Sequence, residues 1–492
     1  MARRTIDALI EEAAAAPGPG FPPEGEVSLG GVDPLGLRQI NFDLMDQVLP
    51  GLNNTARRIR PFVVTAWAWR RAAELAEAEG RISVAAEEEL RDFVDRIEVI
   101  YAWSQLLMNR NAELPGRQVL QKLVASEAYT FGGDQWGRRR EERRNSTAFG
   151  AAIFYGPGLK NFGWARSVAG HPGVLAALES ARPALDAFEG QIQDRLGHAA
   201  FSQLGVVTVS RAEIRSWGPA WSLDSVTDAE RRLMSNALAG DQAPPARRAG
   251  VTLTLAAANA RPSRATPDVR EAMCEDDALR SETQTAWKRV QVRQLFRLAL
   301  EAQFRWTVRV LSDGPRTTEA LVAAFLSEAS GEWDDSTTVI LSRASAGRAP
   351  VTARIAVLEG ALSSKSGEAL AILASLAFCL AQEDASPIVE RTERLPLARA
   401  RKEAHSFREA PFREFLSHVF QSWVMAQHTY SSVARGLADA RSGGKQILRL
   451  RIVLDEGGWA CLPGAKPGSA PVPTPDRLDA VLSLLRECGL LE

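Results

Sequence analysis

His428, Ser432, Arg435 and Asp439 follow one another at spacings of four, three and four. On a helix that pattern lines imidazole, hydroxyl, guanidinium and carboxylate along one stripe. Two assignments fit these residue types. In one, His428 is a general base, Arg435 holds an anionic group and Asp439 completes the centre of an enzyme acting on a phosphodiester. In the other, the stripe is a hydrogen-bond ladder that fixes its helix against a hairpin. His405, His418 and His428 lie near one another in sequence, but on a helix His418 and His428 are about 80° from eclipsed, poorly placed to share a metal. Glu275, Asp276, Asp277, Glu332, Asp334 and Asp335 have the chemistry for Mg²⁺. Asp276 and Asp335 are equally placed to cap helix N-termini. No metal and no cofactor is expected.

The phosphate-loop, dinucleotide, hydrolase-elbow and zinc-protease signatures are absent from the chain. Gly156-Pro157-Gly158-Leu159-Lys160 imitates a phosphate cradle, yet it puts a proline where a backbone N–H is needed and reads as a turn. Lys and Arg number 59 against 60 Asp and Glu, a net charge of −1. Polyanion binding therefore falls to local patches. Arg138, Arg139, Arg140, Arg143 and Arg144 form the densest one, and Arg441, Lys445, Arg449 and Arg451 form a second near the carboxyl end. Both suit phosphate contacts with double-stranded DNA. For the first patch, a solvated helix start paired with Glu141 and Glu142 fits as well.

These side chains need elements to place them. Phe412, Leu416, Val419, Trp423, Tyr430, Val433 and Leu437 recur at helical spacing. Residues 446–454 then alternate Leu448, Leu450, Ile452 and Leu454 with Arg449 and Arg451, the pattern of a strand with one dry face. Asp455-Glu456-Gly457-Gly458 turns this strand back into 459–462. Thr474 and Pro475 open a final helix that Gly489 ends. This succession predicts a winged-helix-like unit.

Upstream, the chain reads as helical. Ile59, Val63, Trp67 and Trp69 mark one helix, and Phe93, Val94, Ile97, Tyr101 and Met108 another. From Asp276 runs the longest helical pattern, with a stripe of Val292, Leu295, Phe296, Ala299, Ala302, Trp306 and Val310. Lys288, Arg289, Arg293, Arg297, Arg305 and Arg309 are expected on its outer face, as a solvated surface or a polyanion site. The expected fold is mainly α: an N-terminal helix and Pro/Gly linker (1–34), a helical domain (35–240), a helical middle domain (241–400) and the C-terminal unit (401–492). The Pro/Ala/Arg-rich stretch 240–268 marks the internal boundary, and TLTLAAANA within it reads as a strand or a turn of helix.

The chain has 492 residues and is 45% hydrophobic, enough to bury sizeable cores. Cys274, Cys379, Cys461 and Cys488 form no CxxC pair, which argues against a zinc site or a disulfide framework. Asp7, Glu11 and Glu12 interrupt the first apolar run, so it lacks the core of a signal peptide. The apolar stretch 369–381 is too short for a membrane span. The expectation is a cytoplasmic protein without a membrane partner.

Two passages, PGLNNTARRIRPFVVTAWAWRR at 50–71 and FYGPGLKNFGW at 154–164, resemble an uncharacterised bacterial family whose members are often encoded among mobile-element and antiviral-defence genes. This chain has Phe62 and Val63 where the family more usually places Tyr and Phe. The resemblance implies a genomic setting and not a reaction. The functional expectation is a non-enzymatic component of an antiphage-defence assembly, binding DNA or another defence-system protein through its arginine patches. A phosphodiester-acting enzyme centred on His428, or a pure scaffold, is the alternative.

Overall fold

The computed structural model describes residues 26–27, 33–80, 86–114, 120–121, 124–134, 137, 151–347, 349–382, 394–441 and 447–491. The fold is mainly α-helical, with short two-stranded ladders, and the C-terminal succession of helix, β-hairpin and helix is present. The chain forms two compact units. One comprises Met1–Ile40, Arg293–Ala349 and Ala353–Pro473, and the other Asn41–Val292, Pro350–Thr352 and Thr474–Glu492. Both are assembled from stretches far apart in sequence, and the final helix is counted with the second. The expected helix within 1–34 lies outside the described residues.

In the second unit, helices Ile59–Ala78 and Ala86–Met108 pack together. Their apolar stripes bury Phe62, Val63, Trp67, Phe93, Ile97 and Trp103, while Met108 stays exposed. Two small antiparallel ladders join them: Ala128–Phe131 with Val207–Ser210, and Ala165–Val168 with His171–Ala177. Thr227 starts helix Asp228–Ala239 through a reciprocal capping box with Glu230. The stretch expected as a boundary instead holds helix Pro245–Asn259, and Arg247, Val251 and Leu253 on it are buried. The expected turn at 156–160 is also helical, inside Ala151–Asn161. There Gly158 lets the helix close on Phe62, where an added Cβ would lie 2.6 Å from the ring.

The final helix begins at Leu478 and not at the expected Thr474. Residues just before it are held by distant partners. Asp476 takes a bond from Gln291 (3.0 Å) and pairs with Arg270 (2.6 Å). Arg477, at φ +66°, reaches Asp46 (2.5 Å) and the Leu49 carbonyl (2.8 Å). These contacts fix 474–477 in a non-helical path. Gly489, at φ +72°, ends the helix as expected.

In the first unit, residues 293–311 of the long helix Glu282–Leu311 supply Phe296, Phe304 and Trp306 to a core shared with Phe325, Phe420 and Trp423. Its expected outer basic face is only partly outside, with Lys288 and Arg309 still more than a third exposed. Arg293 and Arg297 are fully buried, Arg297 on Glu301 (2.7 Å) and Arg293 on the Leu395 carbonyl (3.1 Å). Arg305 and Arg309 both pair with Glu368 (2.9 Å each). Arg293, Arg297 and Arg305 turn inward because acceptors on this helix and on neighbouring elements meet them.

Helix Phe412–His418 continues through wider π turns at Val419–Ala426 into helix Gln427–Arg441. A π turn takes more residues per revolution, so the side-chain phase slips across it. Phe412 and Leu416 before it, and Val419 and Trp423 within it, are buried as expected. After it, Tyr430 and Val433 turn outward, whereas His428, Ser431 and Ser432 turn inward.

The expected strand 446–454 is broken. Ile447–Leu448 pairs in parallel with Glu26–Val27, and the hairpin starts only at Ile452. The alternation also fails: Arg451 is buried and Leu454 is 66% exposed. Arg451 is drawn inward by its N–H, which His428 accepts, and by its guanidinium, which bonds the Pro467 carbonyl (3.2 Å). Strands Ile452–Asp455 and Gly458–Cys461 then pair across Glu456-Gly457. Gly458 is required at this turn: it has φ +108°, and a Cβ would meet the Arg316 carbonyl at 2.6 Å.

Candidate functional site

His428 sits on the first turn of Gln427–Arg441 and is 1% exposed. Its Nδ1–H donates to the Pro34 carbonyl (2.9 Å), and its Nε2 accepts from the Arg451 N–H (3.0 Å). This is the hydrogen-bond set of a neutral imidazole. Phe304 covers the ring, with centroids 4.3 Å apart. Burial first, and then the charges of Arg451 and Arg435, bring the His428 pKa down to about 4 against the opposing bond that the ring donates to the Pro34 carbonyl.

The rest of the stripe does the same work. Ser432 donates to the Arg449 carbonyl (3.0 Å), and Arg435 pairs with Asp33 (3.0 Å). Gln427 adds a bond to the Leu35 carbonyl (2.9 Å). Gly36, at φ +70°, lets this stretch lie on Ser431, whose Oγ would be 2.5 Å from a Cβ there. The stripe therefore joins three stretches: 33–36, the helix and 449–451. Asp439 and Arg441 are in the last turns of this helix, and their side chains lie outside the described residues. So do Lys445 and the whole of Arg138, Arg139, Arg140, Arg143 and Arg144. Arg449 and Arg451 flank the joint.

The three clustered histidines occupy unlike settings. His405 is exposed. His418 lies 2.9 Å from Glu403, which also accepts from Trp423 (2.6 Å). Burial raises the Glu403 carboxyl, but bonds from His418, Trp423 and Arg399 outweigh it and hold it below the ordinary carboxylate range. Of the acidic candidates, Asp276 caps a short helical turn (3.0 Å to the Ala278 N–H), Asp334 meets Arg413 (3.4 Å) and Asp335 meets Arg343 (2.6 Å). Glu275 pairs with Lys288 (2.9 Å) and Asp277 with Arg280 (2.5 Å), while Glu332 gives its carbonyl to Arg343 (3.1 Å).

Sequence reasoning missed a second set of polar joints, in the other unit. Arg247 is 2% exposed and gives three bonds to main-chain carbonyls: Pro50 (2.8 Å), Ala237 (2.8 Å) and Asn161 (3.0 Å). Ala237 and Asn161 lie at helix C-terminal ends, where carbonyls lack partners and a cation is favoured. The guanidinium also stands 5.0 Å from the Phe162 ring centroid. Burial brings its pKa down to about 10, so it stays charged at neutral pH. Arg60 is fully buried, pairs with Glu230 (3.1 Å) and donates to Gln191 (2.7 Å). Glu487 pairs with Arg58 and takes the Ile59 N–H (2.7 Å), serving as the cap that Arg58 cannot supply.

The two passages 50–71 and 154–164 meet here. Phe62 lies 4.5 Å from Tyr155, 5.2 Å from Phe162 and 5.9 Å from Trp164, centroid to centroid. Nothing in either passage announces the other.

The hairpin carries the remaining feature. Trp459 turns its N–H and C=O outward to Arg316 (2.9 Å each). Leu454, opposite Trp459, therefore turns its own N–H and C=O to the other edge of the hairpin, since such groups alternate along an antiparallel ladder. That edge has no strand partner among the described residues. Beside it lies a groove of about 590 Å³ lined by Ala426, Thr429, Tyr430, Leu450, Ile452 and Leu454 among others. Tyr430 is 53% exposed.

With protein-family models, curated proteins and solved structures alike, comparison finds no match to this chain. Among the described residues, no helix is long and apolar enough to cross a membrane.

Proposed function

We propose that the protein is a non-catalytic docking component that takes an extended segment of a partner protein on the open edge of its C-terminal hairpin. The observation that carries this reading is Leu454: its main-chain groups face an unpaired edge, its side chain is exposed, and an apolar groove runs beside it. An added strand would satisfy the edge, and its alternate side chains would enter the groove. Exposed Asp455 and Glu456 at the hairpin tip favour a partner segment with Lys or Arg where it passes them. The partner belongs, on the resemblance of 50–71 and 154–164, among proteins of a bacterial defence assembly.

Two further observations support a docking role over the alternatives. Both nitrogens of His428 are held by main chain, which leaves neither to take a proton from a substrate. Arg293, Arg297 and Arg451 are spent on internal acceptors, so they contribute little to a polyanion surface.

The test is co-expression with products of adjacent genes, read by light scattering on purified material. Leu454→Pro removes only the outward N–H and is compatible with an edge strand; Leu454→Lys keeps the N–H and charges the groove. Both are expected to abolish a complex that the wild type and the control Val357→Lys form. A complex indifferent to both substitutions refutes the reading. So does the absence of any complex alongside a shift of duplex DNA that weakens steeply with salt.

A further inference from the structure

A second cleft in the first unit, of about 520 Å³, is separate from the hairpin groove and has a different chemistry. Helices Thr337–Ser345, Glu368–Ala381 and Leu397–Ser406 form its walls. One wall carries Arg401, Lys402, His405 and Arg408, and the facing wall carries hydroxyls, Thr338 and Ser342 among them. Leu341 and Leu380 supply an apolar surface between. Among the described residues no carboxylate lines the cleft, although Arg408 also lies 3.6 Å from Glu409 at its edge. In a chain with nearly as many bases as acids, a wall of cations that no described carboxylate lines is unusual.

The groups are also poised. Arg401 is anchored by a bond to the Cys379 carbonyl (3.1 Å). The Thr338 hydroxyl donates to the Arg408 carbonyl (3.0 Å), which leaves its lone pairs for another donor and ties the two walls together. Arg408 lies 3.4 Å from His405 Nε2, which places the two side chains side by side on the wall. Lys402 is exposed and makes no ion pair among the described residues. The volume is that of a small-molecule site.

We infer that this cleft binds a small phosphorylated molecule, with its phosphate on Lys402, His405 and Arg408 and its body over Leu341 and Leu380. Cations provide charge-assisted bonds to the phosphate oxygens, and the hydroxyl wall can donate to or accept from polar atoms of the body. The site stands apart from the docking reading, and neither depends on the other.

Calorimetry on the full chain, with inorganic phosphate and adenosine 5′-monophosphate as separate probes, tests it. Saturable binding of the nucleotide is expected, tighter than that of phosphate alone because only the nucleotide reaches the apolar surface. Lys402→Glu should weaken it at least about tenfold by replacing attraction with repulsion. Lys402 has no described partner to lose, so the fold should be unaffected, and an unchanged melting temperature checks this. Ser342→Asp, on the facing wall and equally exposed, should weaken binding by a similar factor. No saturable binding of either probe up to about 5 mM overturns the inference, since affinities weaker than this are not those of a formed site. Binding that both substitutions leave unchanged also overturns it, as does a response to duplex DNA alone.

Discussion

His428 and Arg247 hold comparable places in their respective units. Each is a buried polar side chain that ties together main chain from three stretches: 33–36, the helix and 449–451 for the His428 stripe, and 50, 161 and 237 for Arg247. The chemistry differs. Arg247 is a fork of donors that stays charged, aimed at carbonyls which no helix bond uses. His428 must give at one nitrogen and accept at the other, which only the neutral ring can do. The comparison teaches that one unit is tied by a joint indifferent to pH and the other by a joint that acid opens.

Removing Arg247 should have the largest effect. Arg247→Met leaves three buried carbonyls without donors and should cost about 3–6 kcal/mol, read by urea unfolding with hydrogen exchange to follow the two units separately. Arg247→Lys should restore less than about half, because an ammonium cannot reproduce the planar fork. Full recovery by lysine would mean that charge alone matters at this joint.

Next comes the ion pair of the same unit. Glu230→Leu should cost about 3–5 kcal/mol by stranding the Arg60 charge, and the double change with Arg60→Met should recover much of the loss. If the double change is as damaging as the single one, the pair's hydrogen bonds to Gln191 and Thr227 outweigh its charges.

The His428 joint should respond to acid. Its folded pKa is about 4 against an ordinary value of 6.5. The fold thus favours the neutral ring: the contribution is complete above about pH 6.5 and is lost progressively as pH falls towards 4, about 3 kcal/mol in all. Hydrogen exchange in 427–435 and 449–452 should rise over this window in the wild type. His428→Phe, which keeps the ring on Phe304 without the proton, should abolish the window while costing about 1–3 kcal/mol at neutral pH.

The smallest effect belongs to the exposed edge. Leu454→Lys should leave stability within about 0.5 kcal/mol of the wild type, as suits a side chain that is 66% exposed. A large loss would place Leu454 in the hairpin's own support.

The helices were legible in the sequence because apolar residues recur at 3.6-residue spacing; Ile59, Val63, Trp67 and Phe296 all face inward as read. The shared stripe of His428, Ser432 and Arg435 was legible too, and a ladder was one of the two uses left open for it. What it bonds was not, since Pro34, Arg449 and Arg451 enter through main-chain groups that carry no residue identity. The same holds for Arg247. Tyr430 and Val433 were misplaced because the π turns at Val419–Ala426 shift the phase, and no local composition announces them. Arg297 was misplaced although Glu301, four residues on, was a visible partner. Arg293 gave less warning, because its carbonyl acceptor at Leu395 lies about a hundred residues away.

The most direct measurement is a pH titration of the ring nitrogens in protein labelled with ¹⁵N-histidine, with His428 assigned by its loss in His428→Phe. A joint of the kind described keeps His428 neutral, with its proton on Nδ1, down to about pH 4. Titration near 6.5, or a proton on Nε2, would show that the imidazole does not bridge Pro34 and Arg451, and would contradict the contrast drawn between the two units.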